Sequence, residues 1–202
     1  MKLCLFQGTF NPIHNAHLLL CEHAKKTFDF DKILVIPAAR PPHKNYDETI
    51  SQHRLEMAKL AVADKDYLEV SDIEFERKGF SYTYLTVKEL CKTLPIKGKI
   101  SFIIGTDAFK NIESWYESDK LKELVDFVLF VREDEKELKA DEKHLQNLKN
   151  KGYNYTIMEL PFVDISSTEI RKNINNSIPI KNLVPQAVGK YIDKHGLYKN
   201  KH

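Results

Sequence analysis

Short apolar runs alternate with amphipathic segments along most of this chain. Six of the runs are rich in leucine, isoleucine, valine and phenylalanine and predict β-strands at 2–6, 32–37, 67–75, 99–105, 126–131 and 155–160. The segments between them repeat apolar residues at about the helical period, which predicts amphipathic helices. Strands that alternate with helices favour an α/β fold built on a doubly wound, mostly parallel sheet.

The predicted helices differ in how clearly their ends are marked. They cover residues 17–28, 51–63, 81–94, an exposed charged part of 132–151, and a final helix within LVPQAVGKYIDKHGLY (183–198). Ser51 is the predicted N-cap of the second helix, and Leu60 is predicted to face inward from it. Gly196 is expected to end the last helix, because glycine readily adopts the left-handed conformation found at helix C-termini.

Composition limits the class of protein. The 202 residues carry a formal net charge of +2, which is too mild to predict a polyanion such as DNA as the main partner. Three cysteines without CxxC spacing indicate neither a disulfide framework nor a zinc site. No apolar run reaches the roughly 18 residues that a membrane span requires. These features favour one cytoplasmic domain, 1–202, with a C-terminal helical portion from about residue 166.

The stretch GTFNPIHNAHL (8–18) follows the first predicted strand almost directly. In an open parallel sheet, ligands bind beyond the carboxyl ends of the strands, which is where this stretch falls. Gly8 permits a tight turn without a side chain that would block a phosphate. The turn then leads into a helix starting near His14 or Asn15, whose free N–H groups suit an anion.

His14 and His17 project from the same side of this helix, because they are three residues apart. Beside free N–H groups, two imidazoles can cradle a triphosphate whose charge shifts during a reaction. The pair is also compatible with a helix cap plus a half-buried packing residue, or with a zinc pair, although no third zinc ligand follows at suitable spacing. Neither GxGxxG nor GxxxxGK[ST] occurs in the chain.

This stretch resembles the signature Gly-(Thr/Ser)-Phe-(Asp/Asn)-Pro-x-His-x-Gly-His of the nucleotidyltransferase superfamily related to class I aminoacyl-tRNA synthetases. Ala16 stands where that signature has its second glycine. Alanine is the next smallest residue and a better helix former than glycine, so we expect the departure to be tolerated.

A second signature of the superfamily is a Ser/Thr-rich helix start followed by arginine, which here is ISSTEIR (165–171). Ser166, Ser167 or Thr168 can cap this helix and leave N–H groups for phosphate. Arg171 lies one turn further on, where its planar guanidinium can reach phosphate oxygens. A purely structural capping box is the alternative interpretation of the same residues.

Three further stretches narrow the resemblance: PAARPPHKN (37–45), GFSYTYLT (79–86) and GTDAFKNIESWY (105–116). Together with LVPQAVGKYIDKHGLY, they are similar to the bacterial nicotinate-nucleotide adenylyltransferases over nearly the whole chain. The resemblance implies a Rossmann-like nucleotidyltransferase fold. It also implies adenylyl transfer from ATP to nicotinate mononucleotide, with Mg²⁺, to give deamido-NAD and pyrophosphate on the route to NAD.

The resemblance further implies roles for individual residues. Catalysis would depend on His14, His17 and Arg171. ATP would be bound by Gly8, Thr9, Phe10, Gly105, Asp107, Ser166 and Ser167. The mononucleotide would be bound through its phosphate by Lys44, through its carboxylate by Thr83 with main-chain N–H groups, and through ring stacking by Trp115. No protein side chains are expected to form a dedicated metal site.

Several alternatives stay open at this point. Trp115 could belong to the core, Asp107 could be a helix N-cap, and Lys44 could be a solvated residue of the 40–48 loop, which is the expected lid. Rival functions are a sister adenylyltransferase acting on nicotinamide mononucleotide or phosphopantetheine, a tRNA-aminoacylating or RNA-binding protein, and a non-catalytic nucleotide sensor. The oligomeric state is also open, and the sequence is compatible with a homo-oligomer.

Overall fold

A six-stranded parallel sheet forms the centre of the computed structural model, which describes residues 1–42, 48–96, 98–132, 135–160 and 163–199. The strands are β1 Leu3–Gly8, β2 Lys32–Pro37, β3 Leu68–Val70, β4 Ile100–Gly105, β5 Val125–Arg132 and β6 Tyr155–Leu160. They lie in the order β3-β2-β1-β4-β5-β6, and all neighbours are parallel. The predicted doubly wound, Rossmann-like α/β fold is confirmed.

Helices connect the strands and cover the sheet. The longer ones are α1 Asn15–Phe28, α2 Glu48–Val62, α4 Thr83–Thr93, α7 Glu135–Asn150, α8 Ser167–Asn175 and α9 Gln186–His195. The shorter ones are α3 Ile73–Glu76, α5 Thr106–Lys110 and α6 Ser118–Leu121, with a 3₁₀ turn at Ile112–Ser114. Gly196 ends α9 in the left-handed conformation, with φ of 60°, as its position in the sequence predicts.

Two apolar cores lie on opposite faces of the sheet. Cys4 and Leu5 are adjacent in β1 and point to opposite faces, as successive strand residues do. Cys4 packs with buried residues of α1, α2, α8 and α9, whereas Leu5 packs with those of α4, α5 and α7. Because both faces are covered, the central strands are continuously apolar rather than alternating.

The third strand is shorter than its sequence predicts. The run 67–75 was expected to be one strand, but only Leu68–Val70 pairs with β2, and Ile73–Glu76 forms a turn of helix. The main-chain N–H of Phe75 donates to the carbonyl oxygen of Asp72 at 2.7 Å. This turn buries the side chain of Glu74, which an alternating strand pattern does not reveal.

Two expectations for the second helix are wrong. Ser51 is not its N-cap, because α2 begins at Glu48 and Ser51 lies inside it, where its buried hydroxyl donates to the carbonyl oxygen of Ala39 at 2.7 Å. Leu60 does not face inward but is 38% exposed, since the neighbouring Ala61 takes the core-facing position. Among the described residues, none of the helices has the length and apolarity needed to cross a bilayer.

Candidate active site

An open cleft of about 1170 Å³ lies beyond the carboxyl ends of β1 and β4, where the strand order reverses. This is the place where open α/β sheets bind ligands. Its lining comes from the turn after β1, the start of α1, the loop before α4, the region around Trp115, and the start of α8. The cleft therefore brings together segments that are far apart in the sequence.

The turn between β1 and α1 is shaped by the ring of Phe10. A Cβ atom on Gly8 would lie 2.9 Å from two ring carbons of Phe10, so glycine is needed here because of a neighbouring side chain. Phe10 is buried and has φ of 48°, in the left-handed region. Its ring contacts that of Phe6 edge-on, with the centroids 5.2 Å apart.

His14 and His17 form a stacked pair at the start of α1. Their ring centroids are 3.6 Å apart, and the ring planes differ by 20°. His14 is the N-cap residue, and its main-chain N–H donates to Nδ1 of His17 at 3.2 Å. Phe10 packs edge-on against His17, with the centroids 5.0 Å apart. Both imidazoles line the cleft, as the three-residue spacing predicts.

The start of α1 is less open than the sequence suggests. The main-chain N–H of Asn15 was expected to be free for an anion, but it donates to the carbonyl oxygen of Leu183 at 2.9 Å. The Asn15 side chain also donates to the carbonyl oxygen of Asn182. The segment before α9 therefore occupies one of the N–H groups that helix starts offer to phosphates.

Arg54 fixes the turn after β1 to the loop after β2. This buried guanidinium donates to the carbonyl oxygen of Thr9 at 2.6 Å and to that of Ala39 at 3.3 Å. It also donates to the hydroxyl of Ser51 at 2.9 Å. The planar fork of arginine suits this bridging, because several N–H groups point outward in fixed directions.

The start of α8 faces the same turn from the other side. Ser166 is the N-cap, and its hydroxyl accepts a hydrogen bond from the main-chain N–H of Glu169 at 3.1 Å. Ser167 donates to the carbonyl oxygen of Pro12 at 2.9 Å. Ser166 and Ser167 both line the cleft, so the two predicted motifs meet in one cavity.

Two residues hold Asn11 from the C-terminal half of the chain. Arg171 donates to its carbonyl oxygen at 2.7 Å, and the hydroxyl of Tyr198 donates to its side-chain oxygen at 2.6 Å. Burial raises the pKa of the Tyr198 hydroxyl well above 10, although the nearby Arg171 and Arg54 oppose the shift. The Tyr198 hydroxyl therefore stays protonated near neutral pH and can donate a hydrogen bond.

Aromatic side chains form the opposite wall of the cleft. Trp115 is half-buried and contacts Phe102 edge-on, with the centroids 6.3 Å apart, and part of its ring borders the cleft. Tyr82 stacks on Tyr116, with the centroids 4.5 Å apart, and Phe80 lies beside Tyr82. Trp115 thus packs against the core residue Phe102 and also borders the cleft, and its role as a stacking surface stays a prediction.

A buried polar network lies behind this wall. The hydroxyl of Thr83 donates to the side-chain oxygen of Gln7 at 2.8 Å, and the Gln7 amide nitrogen donates to Glu74 at 2.6 Å. The Glu74 carboxylate also accepts hydrogen bonds from the hydroxyl of Thr86 and from the main-chain N–H of Ala39. Glu74 is 2% exposed, and Gln7 and Thr83 line the cleft.

The structure brings most of the predicted site residues together. Those that line the cleft are Gly8, Thr9, Phe10, His14, His17, Thr83, Gly105, Trp115, Ser166 and Ser167. The side chain of Asp107 is 94% exposed and pairs with Lys110 at 3.0 Å, so it does not lie with them. Arg171 reaches the turn at Asn11 rather than the lining itself. Lys44 and most of the predicted 40–48 lid lie outside the described residues.

Four residues of the site carry no sequence signal that would have found them: Gln7, Arg54, Glu74 and Tyr198. Each acts through a contact with a residue at least 45 positions away. Within the described ranges, no group of three or more His, Cys, Asp or Glu side chains is arranged to hold a metal ion.

Comparison with known proteins identifies the family. A sequence model of the cytidylyltransferase-like family matches residues 5–173. A relative from Thermoanaerobacter sp. (strain X514) is 37% identical over 200 residues, spanning 98% of this chain and 95% of its own. One from Moorella thermoacetica is 38% identical over 199 residues, spanning 98% and 92%. Both are named "Probable nicotinate-nucleotide adenylyltransferase". The chain belongs to this branch of the cytidylyltransferase-like family.

This chain has the same fold as solved structures of nicotinic acid mononucleotide adenylyltransferase. The Plasmodium falciparum enzyme complexed with NaAD superposes with a TM-score of 0.78 at 24% identity, covering 97% of this chain and 96% of that one. The same enzyme complexed with APC gives a TM-score of 0.74 at 23% identity.

Proposed function

We propose that the chain transfers the adenylyl group of ATP to nicotinate mononucleotide, forming deamido-NAD and releasing pyrophosphate. The observation that carries this proposal is the meeting of two helix starts in one cleft. The stacked pair His14 and His17 at α1 faces the same cavity as Ser166 and Ser167 at α8, with an aromatic wall opposite. The names of the relatives support the same reaction.

The reaction is an in-line attack of the mononucleotide phosphate on the α-phosphorus of ATP. A phosphate monoester is already largely ionised near neutral pH, since its second pKa is about 6, so no strong general base is needed. Catalysis then rests on alignment and on stabilising the charge that develops as pyrophosphate leaves. No covalent intermediate with the protein is required.

The histidine pair supplies hydrogen-bond donors to the ATP phosphates. The main-chain N–H of His14 donates to Nδ1 of His17, so Nδ1 is the acceptor of this ring. In the neutral imidazole the proton is therefore on Nε2. The side chain of His14, stacked against this ring, contributes a second imidazole to the same cavity. A neutral imidazole N–H can stabilise negative charge without a proton transfer.

The α8 start holds the β- and γ-phosphates in this proposal. Ser166 already caps α8, so the helix start is formed before ligand arrives. Arg171 lies one turn away, and its guanidinium can exchange the Asn11 carbonyl oxygen for a phosphate oxygen. Asp107, which the resemblance assigns to ATP, would accept a hydrogen bond from a ribose hydroxyl, and its carboxylate would have to leave the ion pair with Lys110 to do so.

The mononucleotide binds at the aromatic wall. Trp115 offers a flat surface for the pyridine ring, and main-chain N–H groups at the start of α4 can receive the carboxylate. Thr83 lies at this helix start, and Lys44 follows β2 in the sequence. Lys44 would pair with the mononucleotide phosphate, as the family resemblance implies.

Mg²⁺ is proposed to enter as part of the ATP complex and to neutralise phosphate charge when bound. The described residues form no cluster of three or more metal ligands. This is compatible with Mg²⁺, because in nucleotide sites the ion usually keeps several waters and takes only one or two carboxylates from the protein. Because ATP is an intracellular substrate, the reaction also supports the predicted cytoplasmic location. A homo-oligomer is compatible with this function but not needed by it.

Pyrophosphate release from ATP tests the proposal directly. With ATP and nicotinate mononucleotide, the chain should release pyrophosphate and form deamido-NAD in equal amounts, detected by coupled assay and chromatography. With nicotinamide mononucleotide or phosphopantetheine in its place, initial rates should be lower. A higher rate with either alternative would replace the proposed substrate, and binding without release would indicate a sensor.

A further inference from the structure

The buried carboxylate of Glu74 has no place in the chemistry proposed above, yet it is connected to the cleft. Its Oε1 accepts from Gln7 and from Thr86, and its Oε2 accepts from the main-chain N–H of Ala39 at 3.3 Å. The guanidinium of Arg77 lies 4.0 Å away and donates to Thr86 at 3.1 Å. A carboxylate this deeply buried requires such partners, because burial of an unpaired charge is strongly unfavourable.

The chemistry of a carboxylate fixes the direction of the hydrogen bonds that lead from it. An ionised carboxylate only accepts, so the Gln7 amide must turn its nitrogen toward Glu74 and its oxygen toward Thr83. An amide oxygen also only accepts, so the Thr83 hydroxyl must give its proton to Gln7. What the Thr83 oxygen then offers to the cleft is a lone pair.

We propose that Glu74 is a positioning residue for substrate selection, which acts through Gln7 to hold Thr83 as a hydrogen-bond acceptor toward the bound mononucleotide. The proposal rests on the proposed function, since it names what the cleft does to that substrate. It revises the expectation that the Thr83 hydroxyl donates to the nicotinate carboxylate. In this arrangement, main-chain N–H groups alone recognise the acid, and Thr83 is suited to a donor such as an amide or a ribose hydroxyl.

The substitution Glu74→Gln reverses this relay with little change of shape. The main-chain N–H of Ala39 keeps the remaining oxygen in place, so the new amide nitrogen faces Gln7. Two amide nitrogens cannot bond to each other, so Gln7 turns its oxygen toward residue 74 and its nitrogen toward Thr83. The Thr83 hydroxyl then accepts from Gln7, and its proton is free to point into the cleft.

The test compares kcat/KM for the acid and amide mononucleotides in the wild type and in Glu74→Gln. The ratio of acid to amide should rise about three- to tenfold, the range for one hydrogen bond gained or lost, while KM for ATP stays unchanged. In a Thr83→Val background the same substitution should leave the ratio unchanged, because no hydroxyl remains to be turned. A merely structural carboxylate would affect both mononucleotides equally.

If a thermal melt shows that Glu74→Gln does not fold, Gln7→Met provides a second way to free the Thr83 proton. It removes the acceptor for the Thr83 proton and leaves Glu74 with Thr86 and Ala39. The acid-to-amide ratio should again rise. An unchanged ratio in an active, folded variant, or a shift that persists without the Thr83 hydroxyl, would overturn the relay. A wild type that releases no pyrophosphate with either mononucleotide would instead refute the proposed function.

Discussion

The main-chain N–H of His14 donates to the Nδ1 atom of His17, and the two rings stack at 3.6 Å. One residue thus fixes the other both by a hydrogen bond and by ring contact. Because Nδ1 is occupied inside the helix start, only Nε2 of His17 can act on a ligand. The edge contact from Phe10 further limits rotation of the His17 ring.

Replacing His17 by alanine should lower kcat by roughly 10²–10³, the range for removing one preorganised stabiliser of developing charge. Pyrophosphate release at saturating substrates measures the effect. His53→Ala serves as the matched control, because His53 bonds to Tyr191 between α2 and α9 and does not line the cleft. Near-normal turnover by the His17 variant would refute its role at the phosphates.

Gly8→Ala tests whether packing around Phe10 holds His14 and His17 in place. The new methyl would meet the Phe10 ring at 2.9 Å, and moving that ring disturbs His17. We expect a loss of about 1–3 kcal/mol in the free energy of unfolding, together with a fall in kcat. Urea denaturation and steady-state rates measure the two effects.

Gly189→Ala makes the same chemical change where the opposite result is expected. Its new Cβ would lie 3.6 Å from Cγ2 of Val184, a residue just before α9, which is an ordinary van der Waals contact. Alanine is favoured over glycine in a helix interior by up to about 1 kcal/mol, so this variant should be as stable as the wild type or more so. If both variants lost stability equally, the Phe10 contact would not be the cause.

Tyr198→Phe should lower stability and weaken ATP binding together. It removes the hydroxyl that donates to Asn11, at a cost of about 1 kcal/mol in the free energy of unfolding, and loosens the turn before His14. A rise in KM for ATP should accompany this loss. Tyr153→Phe removes a buried hydroxyl that bonds to Ser118 in the other core, and should lower stability without changing KM for ATP.

The thiol of Cys21 should make stability fall in alkaline solution. Burial raises its pKa from 9.0 to about 12, so the folded state keeps a proton that the unfolded state loses. Its contribution is therefore complete below pH 9 and is lost as pH rises toward 12. Between these values, the free energy of unfolding of the wild type should fall more steeply than that of Cys21→Ala, by about 1.4 kcal/mol per pH unit.

Urea denaturation at a series of pH values measures this difference in slope. Cys91→Ala is the control, because Cys91 is exposed and burial raises the pKa of its thiol much less. Equal slopes for the wild type and Cys21→Ala would show that the buried thiol does not contribute. Cys4 stays present in all three proteins, and its pKa is raised first by burial and then by the neighbouring Cys21, a second cause that is lost only in Cys21→Ala.

Local patterns predicted the sheet well because the central strands are buried on both faces. The run 155–160 matches β6 at both ends, and the helix expected near His14 or Asn15 begins at Asn15. The length of the edge strand β3 was overestimated, because its alternation continues into a helical turn in which Glu74 is buried against Gln7, Thr86 and Ala39. A pattern of local apolar spacing does not encode such a contact.

The residues of the candidate site also divide into those that a local motif predicts and those that only the folded chain brings together. Gly8, His14 and His17 lie in one short stretch, so a motif could place them, and Ser166 and Ser167 follow from a second motif. Arg54, Glu74 and Tyr198 reach the site only through the folded chain, across separations of 45, 67 and 187 residues. Their side chains are ordinary in isolation, and only three-dimensional proximity gives them a role.

The bonds from Ser167, Arg171 and Tyr198 to the turn at Asn11 and Pro12 have a consequence for biosynthesis. The ribosome makes this turn of the histidine motif more than 150 residues before the side chains that brace it. A nascent chain can therefore assemble much of its sheet while the bonds that brace this turn are still missing. The full set of bonds to this turn forms only after residue 198 has emerged.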